Sequence, residues 1–176
     1  MKRTKIVVAT SGASGVNLGL KTLKLLPTEI EKHFIMSNNS KIVLDKEMND
    51  VTTHNNDDIS ASIASGSFGV DAMIIAPCSM NTLAKIACGI SDNLVTRCAA
   101  VMIKEQKKLI LAPREMPFSA IALENMQKLA TLGIIIAPPV MAYYSEQQTL
   151  DEMENFILGK WFDLLNIENN LYKRWE

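Results

Sequence analysis

The sequence predicts an α/β protein: a three-layer sandwich with a parallel sheet, of the Rossmann-like or flavodoxin-like type. Two observations lead to this class. Five short runs are apolar throughout, and stretches with apolar residues three and four positions apart separate them. Strands without polar alternation are typical of a sheet that helices cover on both faces. The length of 176 residues suits one domain, so we expect residues 1–176 to fold as a single unit.

Strands and helices alternate along the chain. The predicted strands are residues 6–10, 33–37, 72–76, 109–112 and 134–137, and prolines stop the last three. The predicted helices are residues 18–26, 81–87, 93–105, 119–132 and 151–165. Residues 45–62 are polar and irregular, so no element is assigned to them. The tail, residues 166–176, is expected to pack on the body or on a neighbouring subunit through Leu171, Tyr172 and Trp175.

Composition excludes several classes of protein. Apolar residues make up 48% and charged residues 21%, as in soluble globular proteins. The net charge of -1 argues against nucleic-acid binding. No apolar run approaches the roughly 18 residues of a membrane span, and no signal-peptide core follows the first residues. Cys78, Cys88 and Cys98 lack metal-site spacing and stand far from His33 and His54, which predicts reduced thiols, a cytoplasmic protein and no metal.

Segments of unusual composition follow the predicted strands, where ligands bind in open parallel sheets. They are residues 11–15, Ser37, and residues 77–82, 113–117 and 138–144. In the first, Ser-Gly-Ala-Ser-Gly, the glycines allow backbone N–H groups to approach a phosphate or a flavin closely, at the positive end of a helix. An ordinary strand-to-helix turn with Ser14 as N-cap explains the same residues, and the sequence leaves both explanations open.

Residues 77–82 open a helix directly after a strand. Ser79 and Thr82 are capping residue types, so this start either holds a phosphate or is simply capped. Cys78 has no histidine nearby in sequence and is interpreted as a buried structural thiol rather than a nucleophile. Arg97 and Lys104 are seven positions apart on one predicted helix and share a face, either as a phosphate site or as two surface charges.

Pro113-Arg114-Glu115-Met116-Pro117 places a charged pair between prolines after a strand. A carboxylate there can move protons and an arginine can hold phosphate, whereas the alternative is an exposed ion pair. Tyr143 and Tyr144 follow two prolines and either close a pocket or pack at a subunit contact. Lys160, on the last helix, is by itself an ordinary solubilising residue.

Taken together in order and spacing, these segments resemble the flavin prenyltransferase (UbiX-type) family. The matching stretches are residues 11–15, 65–68, 76–84, 89–94, 104–115, 123–126, 138–139 and 143–144, with Gln148. The resemblance covers nearly the whole chain and is strongest from Ser65 to Thr149. It implies a flavodoxin-like fold, FMN as bound flavin and substrate, and transfer of a dimethylallyl group from dimethylallyl phosphate to N5 and C6 of the ring. It further implies a homo-oligomer, commonly a dodecamer, with active sites between subunits. The prenylated FMN would serve a UbiD-type decarboxylase.

The resemblance also assigns roles by position. FMN contacts are expected from Gly12, Ala13, Ser14, Ser37, Ser79, Met80, Asn81, Thr82 and Arg114. The prenyl phosphate is expected to be surrounded by Arg97, Lys104, Tyr144 and Lys160, together with Glu115. Glu115 would carry protons and Ser14 would relay one to N5. No metal is needed, because the cations supply positive charge at the leaving phosphate.

This chain departs from the family pattern at several positions. Asn38 and Asn81 stand where lysine is common, and Lys160 replaces the usual arginine. The first two bear on FMN contacts and the third on a phosphate contact. Two rival functions remain: an FMN-dependent cysteine-decarboxylase-like flavoprotein, which would use an early histidine that is missing here before His33, and a non-enzymatic FMN carrier.

Overall fold

The computed structural model describes residues 3–36 and 50–174, which form one six-stranded parallel sheet with helices on both faces. The strands are β1 (Lys5–Ser11), β2 (Glu31–Met36), β3 (Val51–Asn55), β4 (Ala72–Cys78), β5 (Lys108–Pro113) and β6 (Ile135–Ile136). The helices are α1 (Val16–Leu25), α2 (Met80–Ala87), α3 (Leu94–Lys104), α4 (Ala120–Thr131) and α5 (Leu150–Leu165). The predicted fold class is confirmed.

The strand order is β3-β2-β1-β4-β5-β6, and every pairing is parallel. This is the doubly wound order of Rossmann-type sheets. The chain moves outward from β1 in one direction and then, from β4, in the other. The carboxyl ends of β1 and β4 therefore flank the crevice in which such sheets bind ligands.

Alternate residues of each strand feed two separate cores. Val7 and Ala9 of β1 pack under α2, α3 and α4, whereas Ile6 and Val8 pack under α1 and α5. All four side chains are at most 1% exposed. Because both faces of the sheet are covered, the strands read as continuous apolar runs, which is the pattern that made them recognisable in the sequence.

Four helices begin at polar residues whose side chains bond the first turn. Ser79, Asn93, Ser119 and Thr149 each accept a hydrogen bond from the backbone N–H three positions later. Such caps satisfy one of the donors that a helix start leaves without an intrahelical partner. Helix α1 differs, because Gly15 stands at its N-cap and no side chain caps it.

The structure adds one strand that the sequence analysis left unassigned and corrects two assignments. Residues 45–62 contain β3, an edge strand with mostly exposed side chains, which is why apolar periodicity did not mark it. Pro77 does not stop the strand before it: β4 continues to Cys78 across a register shift, where a proline is tolerated. The last strand has only two residues, Ile135 and Ile136, instead of four.

The C-terminal tail lies against α5. Leu171 and Tyr172 are partly buried against the core that α1 and α5 share. Trp175, the third residue expected to pack there, lies outside the described residues. None of the helices described is long and apolar enough to cross a membrane.

Candidate active site

The loops that follow β1 and β4 are joined by a direct hydrogen bond. The backbone N–H of Ser79 donates to Oγ of Ser11 over 3.1 Å, linking residues 68 positions apart. Ser11 itself is paired with Cys78 in the sheet. A Cβ added to Gly12 would lie 3.7 Å from Cβ of Ser79. The glycine loop and the start of α2 therefore form the two sides of one cleft at the reversal point of the sheet.

Arg114 brings the end of β5 to the same cleft. A Cβ placed on Gly15 would lie 3.6 Å from Cδ of Arg114. Gly15 has a φ of 85°, which glycine adopts without strain, and it allows the chain to turn into α1 directly beneath the arginine. In the described part of the chain, Arg114 makes no hydrogen bond or ion pair. Its charge and the uncapped start of α1 both favour an anion here.

The structure decides how α1 starts. Ser14 is not the N-cap; that position belongs to Gly15. Ser14 and Ala13 are both exposed at the mouth of the cleft, and Gly12 is half-buried. Since Ser14 does not cap the helix, its hydroxyl is not needed for that purpose.

Ser79, by contrast, does cap its helix. Its Oγ accepts from the N–H of Thr82 over 3.2 Å and donates to Oγ1 of Thr82 over 3.0 Å. Met80 is half-buried and Asn81 is exposed in the first turn of α2. The capping explanation of this segment is thus correct, and the segment also lies beside the glycine loop. Any ligand here would meet the backbone and the exposed Asn81 rather than a free Ser79 hydroxyl.

Cys78 is a structural thiol, as the sequence indicated. It is 1% exposed, and burial raises the pKa of its thiol to about 12. A thiol of that pKa holds almost no thiolate near neutral pH, so it is no nucleophile.

Glu115 follows Arg114 and is exposed to solvent. Its Oε1 accepts a hydrogen bond from the backbone N–H of Met116 over 3.1 Å. Within residues 3–36 and 50–174 it forms no ion pair with Arg114, so the alternative of a simple surface pair is wrong. The carboxylate is held by its own backbone at the edge of the cleft and remains open to a proton donor.

Tyr144 and Lys160 lie together in a second depression, which we call the apolar groove. It has a volume of about 610 Å³ and lies between α5 and the segment that follows β6. Its lining consists of Ala137, Pro138, Val140, Met141, Ala142, Tyr143, Tyr144, Phe156, Ile157, Lys160, Trp161 and Leu164. The Tyr144 ring meets Phe156 edge to face, with ring centroids 5.9 Å apart. A single ammonium group in an otherwise apolar lining suits a ligand with a hydrocarbon part and an anionic part.

Of the other two predicted cations, Lys104 lies away from the cleft within one chain and Arg97 lies at the same edge of the sheet as the cleft. Arg97 is exposed in the first turn of α3, whose start lies at the carboxyl edge because Leu94 N–H bonds Asn56 O just after β3. Lys104 is the last residue of α3, next to the start of β5, and therefore lies at the opposite edge of the sheet. It pairs there with Glu105. Ser37 lies outside the described residues.

Reasoning from sequence included Ser11 in the glycine segment without giving it a role of its own, and it did not single out Phe156. Ser11 could have been found, because a polar residue that ends a buried strand at the reversal point is placed to bond the neighbouring loop. Phe156 reads as an ordinary core residue, so no sequence signal distinguishes it. Across the described residues, no group of three or more His, Cys, Asp or Glu side chains is arranged to hold a metal ion.

Comparison with known proteins agrees with this geometry. The Flavoprotein family matches residues 1–161. A flavin prenyltransferase UbiX from Campylobacter jejuni is 50% identical over 98% of both chains. The chain belongs to the flavin prenyltransferase family. The resemblance inferred from the motifs is therefore confirmed, and the membership extends to an archaeal relative: the UbiX of Methanocaldococcus jannaschii is 42% identical over 97% of this chain and 98% of its own.

Solved structures of this family share the fold almost in full. A dodecameric FMN-dependent UbiX-like decarboxylase from Escherichia coli O157:H7 superposes with a TM-score of 0.90, at 38% identity over 98% of this chain and all of its own. AnUbiX, solved with FMN and dimethylallyl pyrophosphate, also gives 0.90, at 36% identity over 99% of this chain and 98% of its own. An FMN-dependent cysteine decarboxylase is 21% identical with a TM-score of 0.63, a likeness of fold alone.

Proposed function

We propose that this chain binds FMN and transfers a dimethylallyl group from dimethylallyl phosphate to N5 and C6 of the flavin ring. One observation carries the proposal. Residues 11–15, the start of α2 and Arg114 converge on one cleft at the reversal point of the sheet, although they are far apart in sequence. This is where a doubly wound sheet binds a nucleotide-like ligand, and the family relationship points to FMN.

The cleft fits the phosphate end of FMN. Arg114 has no hydrogen-bond or ion-pair partner within residues 3–36 and 50–174, and no side chain caps the start of α1. A guanidinium and a helix start together satisfy the oxygens of a phosphate. The glycines at positions 12 and 15 keep Cβ atoms away from this space, so a flat ligand can approach the backbone. FMN, when bound, supplies the ring atoms that receive the dimethylallyl group.

The apolar groove is proposed to receive the prenyl donor. Its hydrocarbon lining suits the dimethylallyl chain, and Lys160 provides charge for the phosphate. Cations already in place at the leaving group favour cleavage of the allylic C–O bond, because they stabilise the negative charge that develops there. Bond formation at N5 and C6 would release two protons from the ring, while closure at C6 needs one proton at the double bond of the dimethylallyl group. Glu115 would carry a ring proton to that double bond, and Ser14, which is exposed and does not cap α1, would relay the N5 proton. The proton left over leaves with the phosphate.

Lys104 enters this proposal through a neighbouring subunit. Within one chain it lies at the opposite edge of the sheet from the cleft, so a role at the prenyl phosphate requires a second copy. Arg97 shares its helix face but lies about two turns away, at the carboxyl edge, so the argument for a second copy concerns Lys104. We propose a homo-oligomer larger than a dimer, a homododecamer in particular. Several large apolar side chains are exposed, including Met116 at 91% and Tyr143 at 87%, as expected of surfaces that other subunits cover.

A single experiment separates the candidate functions. The purified protein is mixed with reduced FMN and either dimethylallyl phosphate or the pyrophosphate, and the flavin is examined by mass spectrometry. A flavin heavier by one dimethylallyl group supports the proposal, and the donor that reacts defines the substrate. Unchanged flavin that stays bound would indicate a carrier. Loss of CO₂ from cysteine-containing peptides in parallel assays would indicate a decarboxylase instead, and no FMN binding in fluorescence titration would end the proposal.

The product is proposed to serve a UbiD-type decarboxylase. A modified flavin that leaves its site must be taken up by an enzyme that uses it as a cofactor. Adding the reaction mixture to such a decarboxylase prepared without cofactor should restore its activity, whereas unmodified FMN should not.

A further inference from the structure

The C-terminal tail is fastened to α5 by one carboxylate. Asp163 accepts two hydrogen bonds from the Arg174 guanidinium, at 3.0 and 2.8 Å, one from the Tyr172 hydroxyl at 2.5 Å and one from Asn169 Nδ2 at 2.9 Å. We call these four residues the tail clasp. The paired contact with a planar guanidinium fixes orientation as well as distance. Chain termini are usually poorly ordered, whereas this one is held by four hydrogen bonds to a single carboxylate. The tail is therefore able to fix the position of groups that it contacts.

The Tyr172 ring lies directly on the backbone of α5. A Cβ added to Gly159 would stand only 2.4 Å from Cδ1 of Tyr172. Glycine in the middle of a helix is destabilising relative to alanine, so it is normally avoided there. At position 159 it is required, because any larger residue would push the tail away from the helix.

From this position Tyr172 contacts Lys160 directly and Tyr144 through Phe156. The Lys160 ammonium stands 5.9 Å from the centroid of the Tyr172 ring, within the range of a cation–π interaction. The same ring meets Phe156 edge to face at 5.0 Å, and Phe156 in turn meets the Tyr144 ring at 5.9 Å. Lys160, Phe156 and Tyr144 all line the apolar groove, whereas Tyr172 stands behind them.

We propose that Tyr172, held by the tail clasp, is a positioning residue for the prenyl donor: it sets the placement of the Lys160 ammonium directly and that of the Tyr144 ring through Phe156. This inference rests on the proposed function, since it concerns the groove assigned to the donor. It explains how Lys160 can orient the donor phosphate, although a lysine without a fixed neighbour does so poorly. An arginine would orient the phosphate through its own planar guanidinium, whereas the Lys160 ammonium is held in place by the tail.

The test measures donor binding without turnover. Titration calorimetry gives the affinity of the FMN-loaded protein for dimethylallyl phosphate. In Tyr172→Leu the ring is lost, and we expect the affinity to fall roughly fivefold to tenfold, as loss of a cation–π contact and a fixed neighbour implies. FMN affinity should stay the same, because the cleft lies elsewhere. Tyr172→Phe keeps the ring and should restore most of the donor affinity.

Leu171→Ala is the matched control. Leu171 is the neighbouring tail residue, packs on the same core and has no contact with Lys160 among those described. It reports what general loosening of the tail does. Gly159→Ala, which displaces the Tyr172 ring from α5 without altering any donor-binding side chain, should weaken donor binding as Tyr172→Leu does.

The outcomes separate this proposal from the function on which it rests. If the parent binds the donor and Tyr172→Leu binds it equally well, the positioning role is wrong and the proposed function stands. Equal losses in Tyr172→Leu and Leu171→Ala would also overturn it, since the tail would then act only through stability. A parent that binds no donor at all would overturn both.

Discussion

Glu115 is the residue on which turnover is expected to depend most directly. Its carboxylate is exposed at the cleft edge and held by Met116 N–H. Glu115→Gln keeps the shape and the hydrogen bond but cannot take up a proton, so we expect turnover to fall about 100-fold or more while FMN affinity is unchanged. Turnover and FMN titration check this. Glu29→Gln, an exposed glutamate at the opposite edge, should behave as the parent. Undiminished turnover of Glu115→Gln would rule out the proton-transfer role.

Lys160 tests how the donor phosphate is held. Lys160→Arg should leave activity similar or lower the KM for dimethylallyl phosphate, because a planar fork can hold two phosphate oxygens. Lys160→Ala should raise the KM while leaving FMN binding intact, since the residue lines the groove and not the cleft. Steady-state kinetics on both variants decide the matter. Lys107→Ala, at an exposed lysine near the start of β5, is the control for loss of one positive charge. Parent-like kinetics in Lys160→Ala would remove the residue from the site.

At the scale of elements, the turn from β1 into α1 is the most constrained. Gly15→Ala places a Cβ in the left-handed region, at a cost of about 1–2 kcal/mol, and narrows the space beside Arg114. We expect a lower Tm together with FMN affinity reduced roughly tenfold, or about 1.4 kcal/mol. Gly133→Ala is the matched variant, because Gly133 has a φ of 80° and no atom within 4 Å of an added Cβ. It should lower the Tm similarly and leave FMN binding unaffected.

The tail clasp should weaken in acid. Hydrogen bonding to Arg174 lowers the pKa of Asp163 to about 2, from an ordinary value of 3.8. Because the pKa is lower in the folded state, the stabilisation is present above about pH 4 and is lost as the pH falls through about 2. Asp163→Asn lacks the charge at every pH. The difference in Tm between parent and variant should therefore be full near pH 6 and shrink below pH 4; a constant difference would contradict the assignment.

The sequence predicted most elements, and its failures have physical reasons. The buried strands were predictable because burial on both faces makes them continuously apolar, and the helices were predictable because burial on one face gives apolar residues three and four positions apart. Strand β3 left none, since it lies at the sheet edge with exposed Thr52 and Thr53. Pro77 was taken as a strand terminator, but the irregular register of β4 accommodates it. Local sequence records burial well and edge pairing poorly.

For the whole molecule, the site was only partly foreseeable. Residues 11–15, the start of α2 and Arg114 were identified because each follows a strand, and parallel strands deliver their ends to one edge. That rule says nothing about cations that a second subunit would contribute, as proposed for Lys104. Lys104 was grouped with the others by sequence, yet within one chain it lies at the far edge. The role proposed for it would depend on contacts between copies of the chain, about which helical spacing carries no information.

Mixing two inactive variants tests whether sites are shared. Lys104→Ala and Glu115→Gln are each expected to lose most activity. If Lys104 acts in the site of a neighbour, mixed oligomers will contain some sites with both parental residues, about a quarter for random mixing across one type of interface. Activity should therefore reappear after the two are unfolded and refolded together.

Light scattering should give a mass well above two copies of 19.5 kDa for the parent. A monomer, or mixtures as inactive as either variant, would exclude a shared site.

The bond from Ser79 to Ser11 has a consequence for the protein as it is being made. The cleft forms only when residues 11–15, the start of α2 and Arg114 come together, and these lie between positions 11 and 114 of the chain. While the residues up to Arg114 are still being made, the nascent chain has the glycine loop but lacks the other parts of the cleft. Non-local pairing of this kind slows folding, because the entropy cost of closing the loops comes before the contacts stabilise the structure. A ligand of this cleft would therefore stabilise only the completed fold, because its site does not exist until residue 114 has been made.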